Sequence, residues 1–184
     1  MRIFGVDPGS AHTGYGCIET SGSGYRVLTC GALSPPTRET FPEKLLAVHT
    51  GLVKLLGDFK PEAVAIEDLF YARNARSALK LGHLRGVAML AASEAGLPVA
   101  EYSPTEVKQA VVGYGRADKR QVQAMVMLLL GLTTPPSQLD VSDALAVAIC
   151  HAHSIGPTDS YAEPVAVRGA PRSWRRYRPG GAGR

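Results

Sequence analysis

Ile3-Phe4-Gly5-Val6-Asp7-Pro8-Gly9-Ser10 is the stretch that decides the fold. An apolar run from Ile3 to Val6 closes on a carboxylate and a turn cluster, so a strand ends at Asp7 and the side chain sits at its carboxyl edge. Outward from it, Tyr15 to Thr20 and Tyr25 to Leu33 read as two more strands, paired as a hairpin by the turn-forming Ser21-Gly22-Ser23-Gly24. A second apolar run, Ala63-Val64-Ala65-Ile66, also closes on carboxylates, Glu67-Asp68, and Pro98 to Tyr102 is a fifth strand. In an α/β sheet functional groups gather at the carboxyl ends of strands, so the repeated ending marks a candidate site if the two strands are neighbours.

Helices fill the intervals. Thr40-Phe41-Pro42-Glu43 supplies an N-cap, an early proline and a glutamate at N3 ahead of Leu45, Leu46, Val48 and Leu52, predicting a helix from about Pro42 to Asp58. Apolar and small residues from Ala75 to Ala95 predict a long helix with Asn74 as N-cap, in which Gly82 and Gly86 could admit a close partner. Ser103-Pro104-Thr105-Glu106 repeats the capping box before a short helix stopped at Gly113-Tyr114-Gly115, Asp118 caps another through Leu130, and the last runs from Asp140 to His153. Three strands, then helix, strand, helix, strand and helices, predict an α/β layered fold with the first three strands antiparallel and the later ones added in parallel.

Composition fits one globular domain: 184 residues, 45% hydrophobic and 20% charged. No apolar run reaches the roughly 18 residues of a membrane helix, and Arg2 and Asp7 come too early for a signal peptide, so a cytoplasmic location is expected. Cys17, Cys30 and Cys150 form no CxxC pair and read as reduced, mostly buried residues. A net charge of +4 and a pI near 9.1 permit a polyanionic partner without requiring one. Much of that charge lies in residues 155–184, where Arg168, Arg172, Arg175, Arg176 and Arg178 stand among Pro and Gly; this part reads as a disordered basic tail, leaving residues 1 to 154 as the domain.

Asp140 and Asp143, spaced i, i+3 at the start of the last helix, project from one face and could converge with Asp7 and Glu67. Clustered carboxylates repel and resist desolvation, so a cation must bind among them, and oxygen ligands favour two magnesium or manganese ions. Such a pair can activate a water and stabilise the leaving 3′ oxygen of a phosphodiester, giving 5′-phosphate and 3′-hydroxyl ends. Any one of these aspartates, taken alone, is better read as a turn or cap residue; the combination carries the case.

Gly5-Val6-Asp7-Pro8-Gly9-Ser10, Ala65-Ile66-Glu67, Asn74 with Ser77 to Gly82, Arg85-Gly86-Val87-Ala88 and Asp140-Val141-Ser142-Asp143-Ala144-Leu145-Ala146 together resemble the bacterial RuvC Holliday junction resolvases over about residues 1 to 154. The resemblance implies a ribonuclease H-like fold with a mixed five-stranded sheet flanked by helices, and a homodimer with two active sites. It implies an endonuclease that resolves four-way junctions by paired symmetric nicks in homologous recombination and the repair of damaged DNA. By position it makes Asp7, Glu67, Asp140 and Asp143 the catalytic, metal-binding carboxylates, with two magnesium ions (manganese possible) in each site. Some members carry histidine at the position of Asp140. Partners implied are a RuvA and RuvB branch-migration complex, and the location the bacterial nucleoid; the family favours thymine-rich cleavage sites.

After Glu67 come Phe70-Tyr71-Ala72-Arg73-Asn74-Ala75-Arg76, aromatics interleaved with basic and amide groups that could stack on bases and hold phosphates. By resemblance Phe70 inserts at the opened junction centre; its bland alternative is a core anchor for the loop. Lys108, Arg116, Lys119 and Arg120 surround the Gly113 to Gly115 turn, and resemblance makes Lys108 and Lys119 neighbours of the scissile phosphate, whereas Arg116 and Arg120 fit a solvated helix face better than a phosphate contact. Lys80 and Arg85 suit phosphate contact or the rim of a dimer contact alike. His151 and His153, at i, i+2, point apart and read as a fraying helix end, while His12, His49 and His83 have no matching partner as ligands.

Three other readings compete. The Asp-Pro-Gly-Ser turn also resembles the phosphate loop of actin-like ATPases and sugar kinases, which need two such domains where this chain has room for one. A related ribonuclease H-like nuclease on another structured nucleic acid would keep the carboxylates and differ in substrate. A junction-binding module that does not cut would tolerate losing one of them.

Overall fold

The computed structural model describes residues 1–9, 11–22, 24–68, 75–136 and 138–155. The chain opens as a meander of β1 (Arg2–Asp7), β2 (Thr13–Ser21) and β3 (Gly24–Leu33). It continues through α1 (Phe41–Phe59), β4 (Ala63–Glu67), α2 (Ala75–Glu94), β5 (Val99–Tyr102), α3 (Pro104–Val112), α4 (Lys119–Leu130) and α5 (Leu139–Ser154). The five strands form one sheet in the order β3-β2-β1-β4-β5, with β1 antiparallel to β2, β2 antiparallel to β3, and β4 parallel to both β1 and β5. The mixed sheet matches the expectation, and the predicted elements fall within a few residues of those observed.

Strand periodicity divides the sheet into two faces. On one, Ile3 and Ala65 join Leu145, Ala148, Ile149 and residues of α3 and α4 in one core; on the other, Phe4, Val6, Val64 and Ile66 pack under α1 and α2. Alternation from Ile3 through Gly5 therefore delivers Asp7 to the α5 face, and alternation through Ala65 delivers Glu67 to the same face. Both capping boxes read from sequence form: Glu43 accepts from the Thr40 N–H and Glu106 from the Ser103 N–H, each at 2.7 Å. The Asn74 cap lies outside the described residues, as does the chain beyond Ile155.

Helix α5 lies unusually close to the sheet, and glycine admits it. A Cβ on Gly14 of β2 would stand 2.0 Å from the Asp140 carbonyl oxygen, and one on Gly5 of β1 would stand 2.0 Å from that of Ala144. These contacts trace an oblique path in which the first turn of α5 crosses β2 and the next crosses β1. The last turn reaches β5, where the Tyr102 hydroxyl and His151 Nδ1 are hydrogen-bonded at 2.8 Å. His151 is thus no fraying end: it is 3% exposed, and burial pushes its pKa down to about 4, so it is neutral. The expectation failed because helix spacing does not reveal which residues of a terminal turn the sheet covers.

Candidate active site

Four acidic residues meet where β1 and β4 end beneath the first turns of α5. The strands are adjacent and parallel, with Val6 opposite Ile66, so Asp7 and Glu67 emerge side by side. Asp140 and Asp143 descend on them from α5, whose N-cap is Gln138, so neither aspartate is the cap that the bland reading allowed. Asp7, Asp140 and Asp143 each offer an oxygen, all within 4.8 Å of one another. Glu67 joins the cluster through a hydrogen bond to Asp7.

The electrostatics of this arrangement are costly. Burial, reinforced by the charges of Glu67, Asp143 and Asp140, pushes the Asp7 carboxyl from 3.8 up to about 8. Burial and the charge of Asp143 likewise raise Glu67, against the lowering effects of Asp7, Lys119 and Lys108. The Lys119 ammonium lies 2.8 Å from Asp143 Oδ2, and that bond holds its pKa above the usual lysine value. One lysine bonded to one aspartate leaves the cluster with surplus negative charge whenever its acids ionise. Oxygen-only, anionic and clustered donors suit a hard divalent cation.

A chain containing this arrangement can be placed among known proteins. A family profile described as crossover junction endodeoxyribonuclease RuvC matches residues 3–151. The chain belongs to the RuvC family. Among RuvC-family relatives, the crossover junction endodeoxyribonuclease RuvC of Chloroflexus aggregans is 50% identical over 154 residues, covering 84% of this chain and 94% of its own. That of Trichlorobacter lovleyi is 49% identical over 179 residues, covering 97% of this chain and all of the relative. The solved structure of Thermus thermophilus RuvC in complex with a Holliday junction substrate superposes with a TM-score of 0.80 at 37% identity, over 84% of this chain and 94% of that one. A yeast mitochondrial Holliday junction resolvase, at 16% identity and a TM-score of 0.60, shares the fold. The ribonuclease H-like sheet expected from the RuvC resemblance is the sheet observed.

Other residues singled out in the sequence fall in different places. Lys108 lies near enough to Glu67 to influence its ionisation, whereas Arg116 and Arg120 are exposed. Arg76, at the start of α2, is exposed, and Phe70, Tyr71, Arg73 and Asn74 lie outside the described residues. Lys80 sits 5.8 Å over the Phe41 ring, beside a cavity of about 360 Å³ lined by Glu39, Lys44, Ser77 and Leu81, apart from the carboxylates. Arg85 is committed to ion pairs with Asp68 and Glu101. Of the histidines, His49 Nε2 lies 2.8 Å from Glu94 and His12 Nδ1 2.7 Å from Ser34. Sequence reasoning missed Gly14, which stands opposite Asp7 in the β1–β2 register, and nothing in the sequence marks it before that register is known.

Proposed function

We propose that this chain is a Holliday junction resolvase, an endonuclease that cuts four-way DNA junctions by metal-dependent phosphodiester hydrolysis, and that Asp7, Glu67, Asp140 and Asp143 form its catalytic centre. The observation that carries the reading is the convergence of Asp7, Asp140 and Asp143 within 4.8 Å, with Glu67 bonded to Asp7, in a chain of this family. The four carboxylates hold two magnesium ions, or manganese in their place. Bound there, such ions supply Lewis-acid stabilisation and a water acidic enough to attack phosphorus at neutral pH.

The chain's own residues do the rest. Asp7, pressed by three acidic neighbours, is the group most in need of a cation, and the close seat of α5 on Gly5 and Gly14 leaves the aspartates little freedom to separate. Lys119 remains charged beside Asp143 and, with Lys108 near Glu67, steadies the negative charge that grows on the phosphate during hydrolysis. The products carry 5′-phosphate and 3′-hydroxyl ends. Phe70 is assigned by resemblance to the junction centre, and Tyr71, Arg73, Asn74, Arg76, Arg116 and Arg120 are assigned to the DNA from their residue types and their place in the sequence beside the site.

Paired symmetric nicks require two such centres, hence a homodimer. Leu79, Gly82, Gly86 and Leu90 are all exposed along one stripe of α2, at spacings of three, four and four. Leu79 is 65% exposed, and added Cβ atoms at both glycines would meet nothing, so the stripe suits a second copy. Work beside a RuvA and RuvB branch-migration complex at the bacterial nucleoid in the cytoplasm, and a dispensable tail at residues 155–184, complete the proposal. No helix among the described residues is long and apolar enough to cross a membrane.

The test is incubation with a synthetic mobile four-way junction and with a linear duplex of the same sequences, in magnesium or manganese, beside Asp7→Asn. Paired nicks confined to the junction and lost in the variant are expected. Equal cutting of the duplex indicates another nuclease, and tight metal-independent binding without cutting indicates a binding module.

A further inference from the structure

Asp68 immediately follows Glu67, and strand alternation turns it to the opposite face of the sheet, toward α2. Its N–H donates to the Tyr102 carbonyl at 2.8 Å, extending the parallel pairing of β4 with β5 by one residue. Its carboxylate is ion-paired with Arg85 of α2, with Nη2 3.2 Å from Oδ1. The same guanidinium grips Glu101 of β5 through Nε, at 2.7 Å, and through Nη2. Glu101 stands opposite Ile66 in the register, so one side chain bridges the residue that follows β4 and the penultimate residue of β5.

Several features make this more than a surface ion pair. Only 28% of the Arg85 side chain is exposed, and Leu84 and Ala88 of the same helix are buried in the core beneath α2. A planar fork with fixed donor directions restrains position as well as charge, which a lysine in its place cannot do. The restraint acts on the backbone at Asp68, one peptide from the Cα of Glu67. Glu67 itself is pushed by Asp143 and has no cationic side chain bonded to it among the described residues, so its placement depends on the strand end that carries it.

We infer that Arg85 is a positioning residue for Glu67: by clamping Asp68 and Glu101 to α2 it holds the end of β4 where Glu67 completes the metal site. The inference rests on the proposed role of Glu67 as a metal ligand. A consequence is that α2, the helix carrying the exposed Leu79 to Leu90 stripe, is mechanically joined to the catalytic edge from the face opposite α5.

The experiment measures Mn2+ affinity by calorimetry on the full chain without DNA, and in parallel the Mg2+ dependence of junction cutting and junction affinity without divalent metal. The proteins are wild type, Arg85→Ala, Arg85→Lys, Asp68→Asn and the Arg85→Ala/Asp68→Asn pair, each checked for a cooperative thermal transition. Loss of a support to a metal ligand typically weakens metal binding about 10- to 100-fold. Arg85→Ala is expected to weaken Mn2+ binding by that factor and to raise the Mg2+ requirement in step, with junction affinity changed less than about threefold. Arg85→Lys recovers part of the loss, and adding Asp68→Asn to Arg85→Ala costs little more. Unchanged Mn2+ affinity in a folded Arg85→Ala or Arg85→Lys protein overturns the inference, as does a fall in junction affinity equal to the fall in cutting, which makes Arg85 a DNA contact. Should wild type bind Mn2+ yet leave junctions uncut, the proposed function fails while the Mn2+ comparison still decides the role of Arg85.

Discussion

Removing one of the clustered carboxylates should stabilise this protein when metal is withheld. In the folded chain burial and acidic neighbours push Asp7 from 3.8 to about 8, so between those values the native state keeps a proton that the unfolded state has released. A raised pKa means stability is highest below the unfolded value and declines as pH rises through the folded one. At about 1.4 kcal/mol per unit, the ionic strain removed by Asp7→Asn at pH 7.5 has a ceiling of about 5 kcal/mol. The amide must still be desolvated and gives up the proton shared with Glu67, which offsets about 1–3 kcal/mol and leaves a gain of about 2 kcal/mol. For a chain of this size that corresponds to about 4–8 °C in Tm. The assay is thermal unfolding of wild type and Asp7→Asn from pH 5 to pH 9 in EDTA, then in magnesium. The variant should match or trail wild type at pH 5 and exceed it increasingly toward pH 8. Saturating magnesium, which adds about 2.7 kcal/mol to a binding protein at 100 times Kd, should reverse the order by favouring wild type alone. An Asp7→Asn protein no more stable than wild type at pH 8 in EDTA would refute the electrostatic reasoning.

Other expectations rest on different contacts. Gly5→Ala places a Cβ against the Ala144 carbonyl oxygen and should cost about 1–3 kcal/mol or more, read as a lower urea midpoint together with lost cutting. Lys119→Ala removes the partner of Asp143 and should slow cutting of a bound junction about 10- to 1000-fold, measured in single turnover, with the fold unchanged. His151 has its folded pKa pushed below 6.5 to about 4, so it should cost stability as pH falls through that window, by up to about 3 kcal/mol. A His151→Gln variant should flatten that part of the stability profile, and an equally steep decline would remove His151 as its source.

The sheet and the carboxylates could be read from sequence because both rest on short-range rules. Apolar runs that close on Asp7 and Glu67 state where two strands end, and alternation within each run states which face the acid takes. The i, i+3 spacing of Asp140 and Asp143 states that they share a helix face. What could not be read depends on which distant surfaces meet. Gly14 looks like any strand glycine until the Asp140 carbonyl is found against it. Arg85 offered phosphate contact or a dimer rim because helix periodicity does not show that Asp68 and Glu101 wait across the gap. His151 read as a loose end because burial at the end of α5 depends on its oblique path to Tyr102.

The central claim is that carboxylates from β1, β4 and α5 form a single metal centre. Its most direct test is the anomalous scattering of a crystal of the full chain soaked in Mn2+. The account predicts two manganese peaks within coordination distance of Asp7, Glu67, Asp140 and Asp143, both absent from a crystal of Asp7→Asn with Asp143→Asn. Manganese bound elsewhere, or a cluster that stays empty at concentrations where the protein cuts junctions, would contradict it.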